Sequence, residues 1–140
     1  MHNEPRTIMI EGYASIFNEP DQMNDVILPG AFSLKNIADI PLLWQHYPNT
    51  PIGKVISAKE DKVGLWVTLA LCIDTQVGVE AYTLIQSNIL TGLSIGFNAI
   101  KSSKGQGRVR RILHKVNVQE ISVVTFPAHP KARAKCVVHP

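Results

Sequence analysis

A two-residue alternation of apolar and polar side chains recurs in short runs along most of this chain, and it constrains the fold more than any other feature. In residues 7–17, for example, isoleucines occupy positions 8, 10 and 16, all on one of the two alternating faces. This period is typical of a β-strand that buries one face. Similar runs predict further strands at residues 40–46, 52–58, 64–71, 93–99, 108–116 and 118–126.

A helical period is clear in one stretch, Thr75 to Asn88. Its apolar residues recur three or four positions apart, and Asp74 or Thr75 can cap its first turn. A second, shorter helix is predicted at residues 31–37, because the Pro-Gly pair before it suits a helix entry better than a helix interior. These elements predict a mainly β (α+β) fold: a closed or nearly closed β-barrel of about seven strands, flanked by helices.

A chain of 140 residues is expected to form one domain with one core. We place that domain at residues 1–130 and predict a short basic C-terminal tail at residues 131–140. The net charge is +3, and positive side chains are concentrated in residues 101–115 and 131–135. Such clusters bind nucleic acid or acidic protein, or they belong to a solvated hairpin and tail. Aromatic residues make up only 6% of the chain and avoid these clusters, which argues against stacking on single-stranded nucleic acid.

The positions of the cysteines and histidines argue against a metal centre. Cys72 and Cys136 are far apart and are expected to stay reduced in a cytosolic compartment. None of the five histidines stands at metal-ligand spacing from another histidine or from a cysteine, so we expect neither a metal nor a cofactor. No run approaches the roughly 18 apolar residues of a membrane span, and the first residues lack the layout of a secretory signal. A cytosolic type of protein is therefore expected.

Ser94 is a candidate nucleophile because it lies between Gly92 and Gly96 on a predicted strand, where another backbone could approach it. A serine hydroxyl reacts only when a base takes its proton, and that base is usually a histidine oriented by a third group. His46 ends an apolar run, and Glu120 lies within an otherwise apolar strand, where an unpaired carboxylate is costly. The alternatives are a surface serine, a structural imidazole and a carboxylate that faces solvent.

Residues 92–96 also match the G-x-S-x-G pattern of α/β-hydrolases, but we reject that interpretation. A nucleophile elbow needs a strand before the serine and a helix directly after it. Here a helix is predicted before Ser94, and a strand continues after it. Only 46 residues follow Ser94, too few for the rest of an α/β sheet.

Six short segments occur in one order over nearly the whole chain. They are residues 12–17 (GYASIF), 25–32 (DVILPGAF), 42–46 (LLWQH), 51–55 (PIGKV), 92–97 (GLSIGF) and 119–128 (QEISVVTFPA). Each segment alone is a weak signal, whereas six in register are specific. Through them the chain resembles the tailed-phage prohead (procapsid maturation) protease family, serine endopeptidases that are similar in fold to herpesvirus assemblin.

The resemblance implies a herpesvirus-protease-like fold and a set of active-site residues. It implies that Ser94 is the catalytic nucleophile and that His46 is the catalytic base. Glu120 is implied as the third member, in the place that a second histidine takes in assemblin-like enzymes. An oxyanion hole is required as well. Since assemblin-like enzymes use a loop after the serine strand, the resemblance places it in residues 103–111.

For the whole chain, the resemblance implies a serine endopeptidase that cleaves scaffold protein, capsid protein or both during procapsid maturation, and that cleaves itself. It implies a homodimer or higher oligomer inside the assembling procapsid, in the cytoplasm of a bacterial host, with no membrane and no specific nucleic acid as partners. The alternatives are a catalytically inactive capsid-assembly or scaffold-binding module of the same fold and a small basic nucleic-acid-binding barrel. Many members of the family have a longer C-terminal region. Three interpretations of this chain therefore stay open: a minimal protease, a fusion split into separate genes, or a processed form.

Overall fold

One mixed sheet of eight strands forms most of the computed structural model, which describes residues 4–137. The strands are β1 (Thr7–Ile16), β2 (Asp25–Ile27), β3 (Pro41–Trp44), β4 (Tyr47–Glu60), β5 (Gly64–Cys72), β6 (Gly92–Lys104), β7 (Arg111–Val124) and β8 (Ala134–Val137). The helices are α1 (Gln76–Gln86) and a single turn of 3-10 helix at Ile37–Asp39. The predicted class, a mainly β fold with few helices, is confirmed.

The strand order makes β7 the strand around which the candidate residues are arranged. The order is β2-β7-β3-β4-β5-β1-β8, and β6 also pairs with β7. β6 and β7 form a long antiparallel hairpin, whereas β2 and β3 run parallel to the first and last parts of β7. The sheet curls into a half-barrel, so these strands curve around a shared interior.

Aliphatic side chains from the long strands fill the inside of the half-barrel. Side chains that are fully excluded from solvent include Ile10, Leu42, Leu65, Leu69, Leu93 and Ile121. Burial of each such side chain stabilises the fold by about 1.5–3 kcal/mol. The alternation that predicted the strands therefore marks the residues that build the core.

α1 begins at the predicted cap. The side chain of Thr75 accepts a hydrogen bond from the backbone N–H of Gly78 at 3.0 Å. Gly78, Ala81 and Ile85 are buried on one face of the helix, which packs near β5 and β8. Neither helix of residues 4–137 combines the length and the apolar content needed to cross a membrane.

Two predicted features of the secondary structure, a helix and a break between strands, are wrong. The helix predicted at residues 31–37 is absent from this segment except for its last residue, because Ala31 and Phe32 are instead buried against β7. The carbonyl oxygen of Ala31 accepts a hydrogen bond from the backbone N–H of Val116 at 3.0 Å, and Phe32 forms a β-bridge with Val116. The strands predicted at 108–116 and 118–126 are one continuous strand, because the pairing of β7 with β6 passes through Asn117.

The alternation did not predict β2 and β8. They contain three and four residues, too few for a period to be recognised, and each depends on a partner that is distant in sequence. β8 lies in the segment predicted as a tail, where Ala134–Val137 pair with β1 as an edge strand. The last three residues of that segment lie outside the described residues.

Candidate active site

The candidate nucleophile, Ser94, lies in the first part of β6, directly opposite Ser122 of β7. Two residues further along, Gly96 lies opposite Glu120. Opposite residues of an antiparallel pair share a face, with Cβ atoms about 4.5–5.5 Å apart, and residues two apart on a strand share that face too. Ser94, Ser122 and Glu120 therefore meet on one face of the hairpin, while Leu93 is buried in the core on the other.

Gly96 leaves the space that the side chain of Glu120 occupies. A Cβ atom at position 96 would lie 2.9 Å from both Cγ and Cδ of Glu120, closer than Cβ atoms approach other atoms in real structures. The side chain of Glu120 thus lies across β6 at position 96. The glycine that follows Ser94 therefore helps to shape the site.

His46 lies in a tight turn and not at the end of a strand as predicted. β3 ends at Trp44, which pairs with Tyr47 at the start of β4. The two residues between them have positive φ angles, 51° for Gln45 and 61° for His46. Two left-handed residues in a two-residue hairpin loop are the pattern of a type I′ turn. The predicted strand 40–46 is two residues too long because neither residue is the glycine or asparagine that usually marks this turn.

Hydrogen bonds to the end of β7 hold this turn in place. The backbone N–H of Gln45 donates to the carbonyl oxygen of Val123 at 2.9 Å. The side-chain amide of Gln45 donates to Oγ1 of Thr125 at 2.8 Å and accepts from the backbone N–H of Thr125 at 3.0 Å. The backbone N–H of His46 donates to Oγ of Ser122 at 3.1 Å. A left-handed backbone costs a non-glycine residue about 1–3 kcal/mol, and these bonds offset that strain.

A closed set of hydrogen bonds joins His46 to Glu120. Nδ1 of His46 contacts Oε1 of Glu120 directly, and Oε2 accepts a hydrogen bond from the Ser122 hydroxyl at 2.6 Å. Because an ionised carboxylate only accepts hydrogen bonds, the shared proton resides on Nδ1. The neutral imidazole then carries its lone pair on Nε2, which is the tautomer that a general base needs.

Glu120 also changes the basicity of His46. The hydrogen bond with Glu120 raises the pKa of His46 above the ordinary value of 6.5; burial opposes this increase, and the negative charge of Glu120 adds to it. The His46 side chain is 43% exposed, whereas that of Glu120 is 14% exposed. The imidazole is thus open to a reactant on one side and held by a shielded carboxylate on the other, an arrangement suited to proton transfer near neutral pH.

Ser94 itself is 4% exposed, and its hydroxyl takes part in none of the side-chain hydrogen bonds of residues 4–137. All fully enclosed side-chain nitrogen and oxygen atoms of those residues have partners, so the Ser94 hydroxyl keeps some contact with solvent. Ser94 also lines a small cavity of about 30 Å³ together with Ile95, Phe97 and His129. The hydroxyl is not yet bonded to Nε2 of His46, and catalytic hydrogen bonds of this kind often form only with substrate bound.

The loop predicted to carry the oxyanion hole follows the end of β6 that is remote from Ser94 along the strand. Residues 105–110 connect the far ends of β6 and β7. Ser94 and Ser103 are nine residues apart along β6, which corresponds to about 30 Å of strand. An oxyanion donor must lie about 2.7–3.1 Å from the oxyanion, and the assignment of this role to the amides of residues 103–111 stays a prediction.

The fold brings the three predicted residues together from distant parts of the chain. Ser94 comes from β6 and Glu120 from β7, and the parallel pairing of β3 with residues 121–123 places the His46 turn beside them. Sequence reasoning missed Ser122 as a member of the site, although its position two residues after Glu120 placed both on one face. Among residues 4–137, no group of three or more His, Cys, Asp or Glu side chains is placed to hold a metal ion.

Comparison with known proteins identifies the family. The pattern of the caudovirus prohead serine protease family matches residues 1–139, nearly the whole chain. The chain belongs to this family. The resemblance carried by the six sequence segments is thereby confirmed.

Relatives include two prohead proteases and a polyprotein. The chain is 35% identical over 129 residues to the prohead protease of Enterobacteria phage HK97, covering 89% of this chain and 57% of that protein. It is 26% identical over 127 residues to the prohead protease of Escherichia phage T5, covering 87% and 59%. It is 35% identical over 130 residues to the capsid polyprotein of Pseudomonas phage PAJU2, covering 89% and 19%. The chain therefore spans a little over half the length of the two prohead proteases.

Solved structures of herpesvirus proteases share the fold. A crystal structure of KSHV protease in complex with a hexapeptide phosphonate inhibitor has a TM-score of 0.57 at 16% identity, covering 92% of this chain and 64% of that chain. A structure of Kaposi's sarcoma herpesvirus protease in complex with an allosteric inhibitor has a TM-score of 0.51 at 15% identity, covering 94% and 78%. At such identities the likeness concerns the fold alone, and the predicted herpesvirus-protease-like architecture is confirmed.

Proposed function

We propose that this chain is a serine endopeptidase of procapsid maturation, with Ser94 as nucleophile, His46 as general base and Glu120 as the group that orients the base. One observation carries the proposal: the hydrogen-bonded pair of His46 and Glu120 lies on the same face of the β6–β7 hairpin as Ser94. This pair keeps the lone pair of the neutral imidazole on Nε2, the atom that has to accept the serine proton. Family membership independently supports a protease.

In the first half of the proposed reaction, Oγ of Ser94 bonds to the carbonyl carbon of the scissile peptide while Nε2 of His46 takes its proton. Glu120 stays ionised and stabilises the imidazolium through the Nδ1 proton. The tetrahedral intermediate then collapses, the carbon–nitrogen bond breaks, and the leaving amine takes the proton from Nε2. An acyl ester on Ser94 remains.

In the second half, a water molecule gives a proton to Nε2 and bonds to the ester carbon. The ester bond to Oγ breaks, the new C-terminal carboxylic acid leaves, and Ser94 regains its proton from Nε2. His46 therefore acts twice as base and twice as acid. The role of Glu120 is the same throughout, which explains why its second oxygen can be occupied permanently by Ser122.

The proposed substrates are capsid or scaffold protein, with the chain itself as a further substrate and a second copy of the chain as a partner. The relative in Pseudomonas phage PAJU2 is a capsid polyprotein, which supports a substrate of the capsid-assembly class. The proposed place of action is the assembling procapsid in the bacterial cytoplasm.

The first test is co-expression with the cognate capsid or scaffold protein, followed by intact-mass measurement of both partners. We compare the wild type with Ser94→Ala, His46→Ala and the matched control Ser102→Ala, a serine in the exposed part of the same strand. The wild type and Ser102→Ala are expected to give one defined truncation, and the other two variants none. The same truncation in all four samples would mean that another protease cuts the substrate.

A second test needs no substrate. An activated phosphonate ester forms a covalent bond with a serine only when that serine is activated as a nucleophile. The expected result is a single adduct on Ser94, identified by peptide mapping, which is lost in Ser94→Ala and strongly slowed in His46→Ala. An unlabelled wild type that binds capsid protein without cutting it would favour an inactive assembly module instead.

A further inference from the structure

Ser122 has a position in the site that the proposed reaction does not by itself require. The residue is fully buried, with 0% exposure, and lies directly opposite Ser94 across the hairpin. Its Oγ accepts a hydrogen bond from the backbone N–H of His46 at 3.1 Å, and its hydroxyl donates one to Oε2 of Glu120 at 2.6 Å. A buried hydroxyl that makes both bonds fixes two other groups relative to each other.

The chemistry of the partners determines the direction of each bond. A backbone amide only donates, and an ionised carboxylate only accepts. The single proton of the Ser122 hydroxyl must therefore point to Glu120, and one of its lone pairs must face His46. The bonds form a ring that runs from the His46 backbone to Ser122, on to the Glu120 carboxylate and back to Nδ1 of the His46 imidazole.

We propose that Ser122 is a positioning residue, which holds the Glu120 carboxylate and the left-handed backbone of His46 in the one arrangement that keeps Nε2 available to Ser94. This inference rests on the proposed function for its catalytic meaning. By occupying Oε2, Ser122 leaves Oε1 as the only oxygen of Glu120 for the imidazole. By accepting a hydrogen bond from the backbone N–H of His46, Ser122 connects the strained turn to β7, the strand that also carries Glu120. The bonds from the His46 amide to Ser122 and from Ser122 to Glu120 form a relay in which each polarises the other. The imidazole donates to the same carboxylate, so Ser122 acts on it by fixing the position of Glu120.

Occupation of Oε2 has a second consequence for Ser94. The Cβ atoms of Ser94 and Ser122 lie about 4.5–5.5 Å apart, as in any directly opposed pair. A carboxylate oxygen left without a donor in that space would compete with Nε2 of His46 for the Ser94 hydroxyl proton. Ser122 removes this competitor, so its loss is expected to lower kcat more than it changes KM.

The test combines NMR of His46 with kinetics. In the wild type, the Nδ1 proton of His46 is expected to give a resolved downfield signal in slow exchange with water, assigned by its loss in His46→Gln. Ser122→Ala is expected to broaden or remove that signal and to lower the pKa of His46 toward 6.5, with kcat reduced about 10- to 100-fold and KM nearly unchanged. Ser122→Thr, which keeps the hydroxyl, is expected to retain the signal.

Two controls separate positioning from general damage to the fold. Ser122→Cys preserves the size of the side chain but is a weak donor, so it is expected to resemble Ser122→Ala even if the alanine variant is poorly folded. Ser15→Ala removes another buried serine, on β1, and is expected to leave the Nδ1 proton signal unchanged.

The inference and the proposed function fail in different ways. Folded Ser122→Ala and Ser122→Cys variants with the wild-type Nδ1 signal and pH profile would overturn the positioning role while leaving the protease intact. If the wild type neither cleaves nor reacts with a phosphonate, the proposed function fails. Loss of the Nδ1 signal in Ser122→Ala would still support the positioning role in that case.

Discussion

Two carboxylates lie near opposite ends of β7, Asp25 beside its first residue and Glu120 within the strand, and their charges are compensated in different ways. Near the first end, Asp25 is 2% exposed and is bound by two guanidinium groups. Arg111 donates to its two oxygens at 3.1 and 2.9 Å, and Arg110 donates to one of them at 3.0 Å. Near the other end, Glu120 is bound by the Ser122 hydroxyl and the His46 imidazole.

The difference lies in whether the partner can release its proton. Arginine stays charged at any pH that a protein tolerates, so near neutral pH the Asp25 cluster exchanges no proton and acts as a structural clamp between β2 and β7. Histidine titrates near neutral pH, so the pair of Glu120 and His46 can accept and return a proton. On this sheet, a shielded carboxylate therefore becomes functional through the identity of its partner, and the depth of its burial does not decide this.

The two sites also depend on pH in opposite directions. Burial alone would raise the pKa of Asp25, but the hydrogen bonds and charges of Arg111 and Arg110 outweigh burial and lower it. Its contribution to stability is therefore present above the unfolded pKa of about 3.9 and is lost as pH falls through the folded pKa. The pKa of His46 is raised, so its contribution is present below about pH 6.5 and is lost as pH rises through the folded pKa.

Among changes to the two carboxylates and their surroundings, the largest effect is expected from Glu120→Gln, which replaces the carboxylate by an amide of the same shape. The amide no longer enforces the Nδ1 proton or stabilises the imidazolium, so kcat/KM is expected to fall about 10³- to 10⁴-fold. The pKa of His46 is expected to fall as well. Because the base must be neutral to act, the acidic limb of the pH profile should move to lower pH. If the acidic limb of the pH profile is unchanged in single-turnover measurements, Glu120 does not control the pKa of His46.

The matched change at the other carboxylate, Asp25→Asn, is expected to have the opposite pattern. It removes charged hydrogen bonds to Arg110 and Arg111, so the free energy of unfolding is expected to fall by about 2–3 kcal/mol at neutral pH. The difference from wild type should shrink as pH falls through the pKa of Asp25, where the wild-type carboxyl also loses its charge. Denaturant unfolding at several pH values measures this difference in stability. In a separate activity assay, the folded variant should keep the acidic limb of the wild-type pH–rate profile. A destabilisation that does not change with pH would contradict the charged clamp.

A smaller effect is expected from Gly96→Ala, which moves Glu120 without changing its charge. The new Cβ would lie 2.9 Å from Cγ and Cδ of Glu120, so the Glu120 side chain has to leave the position in which it contacts His46 or the strand has to move. We expect kcat to fall about 10-fold or more and the pKa of His46 to move back toward 6.5. Asn98→Ala, an exposed change on the same strand, serves as the control. Wild-type kcat in Gly96→Ala would show that Glu120 has another way to reach the imidazole.

The amount that could be predicted from the sequence follows the range of the interactions. Alternation over ten residues marked β1, and the helical period with its cap marked α1, because both signals are local. β2 has three residues and exists only because residues 111–113 lie beside it. A pattern within three residues contains no information about a pairing partner more than 80 residues away in the sequence.

The same limit applies within the site. Ser94 and Glu120 lie on long strands, so their faces could be read from alternation. The position of His46 depends on a type I′ turn formed by Gln45 and His46, neither of which is among the asparagine, aspartate and glycine residues that usually mark this turn. Bonds from the turn to Val123 and Thr125 select that conformation, and they exist only in the folded chain. The family resemblance identified the histidine, whereas tertiary contacts set its backbone.

The smallest effect is expected where those tertiary contacts are exposed. Thr125→Val keeps the shape of the side chain but removes the acceptor for the Gln45 amide, leaving the bond from the Thr125 backbone to Oε1 of Gln45 intact. One such bond contributes about 0.5–1 kcal/mol, so we expect kcat/KM to fall about twofold to fivefold through looser placement of the His46 turn. Thr68→Val, on β5, is the matched control. Within residues 4–137, no hydrogen bond or ion pair joins Asp25 to this turn, so Thr125→Val combined with Asp25→Asn should show additive losses of stability. A measured coupling between them would mean that the two ends of β7 are not independent, and the division into a structural and a functional carboxylate would have to be abandoned.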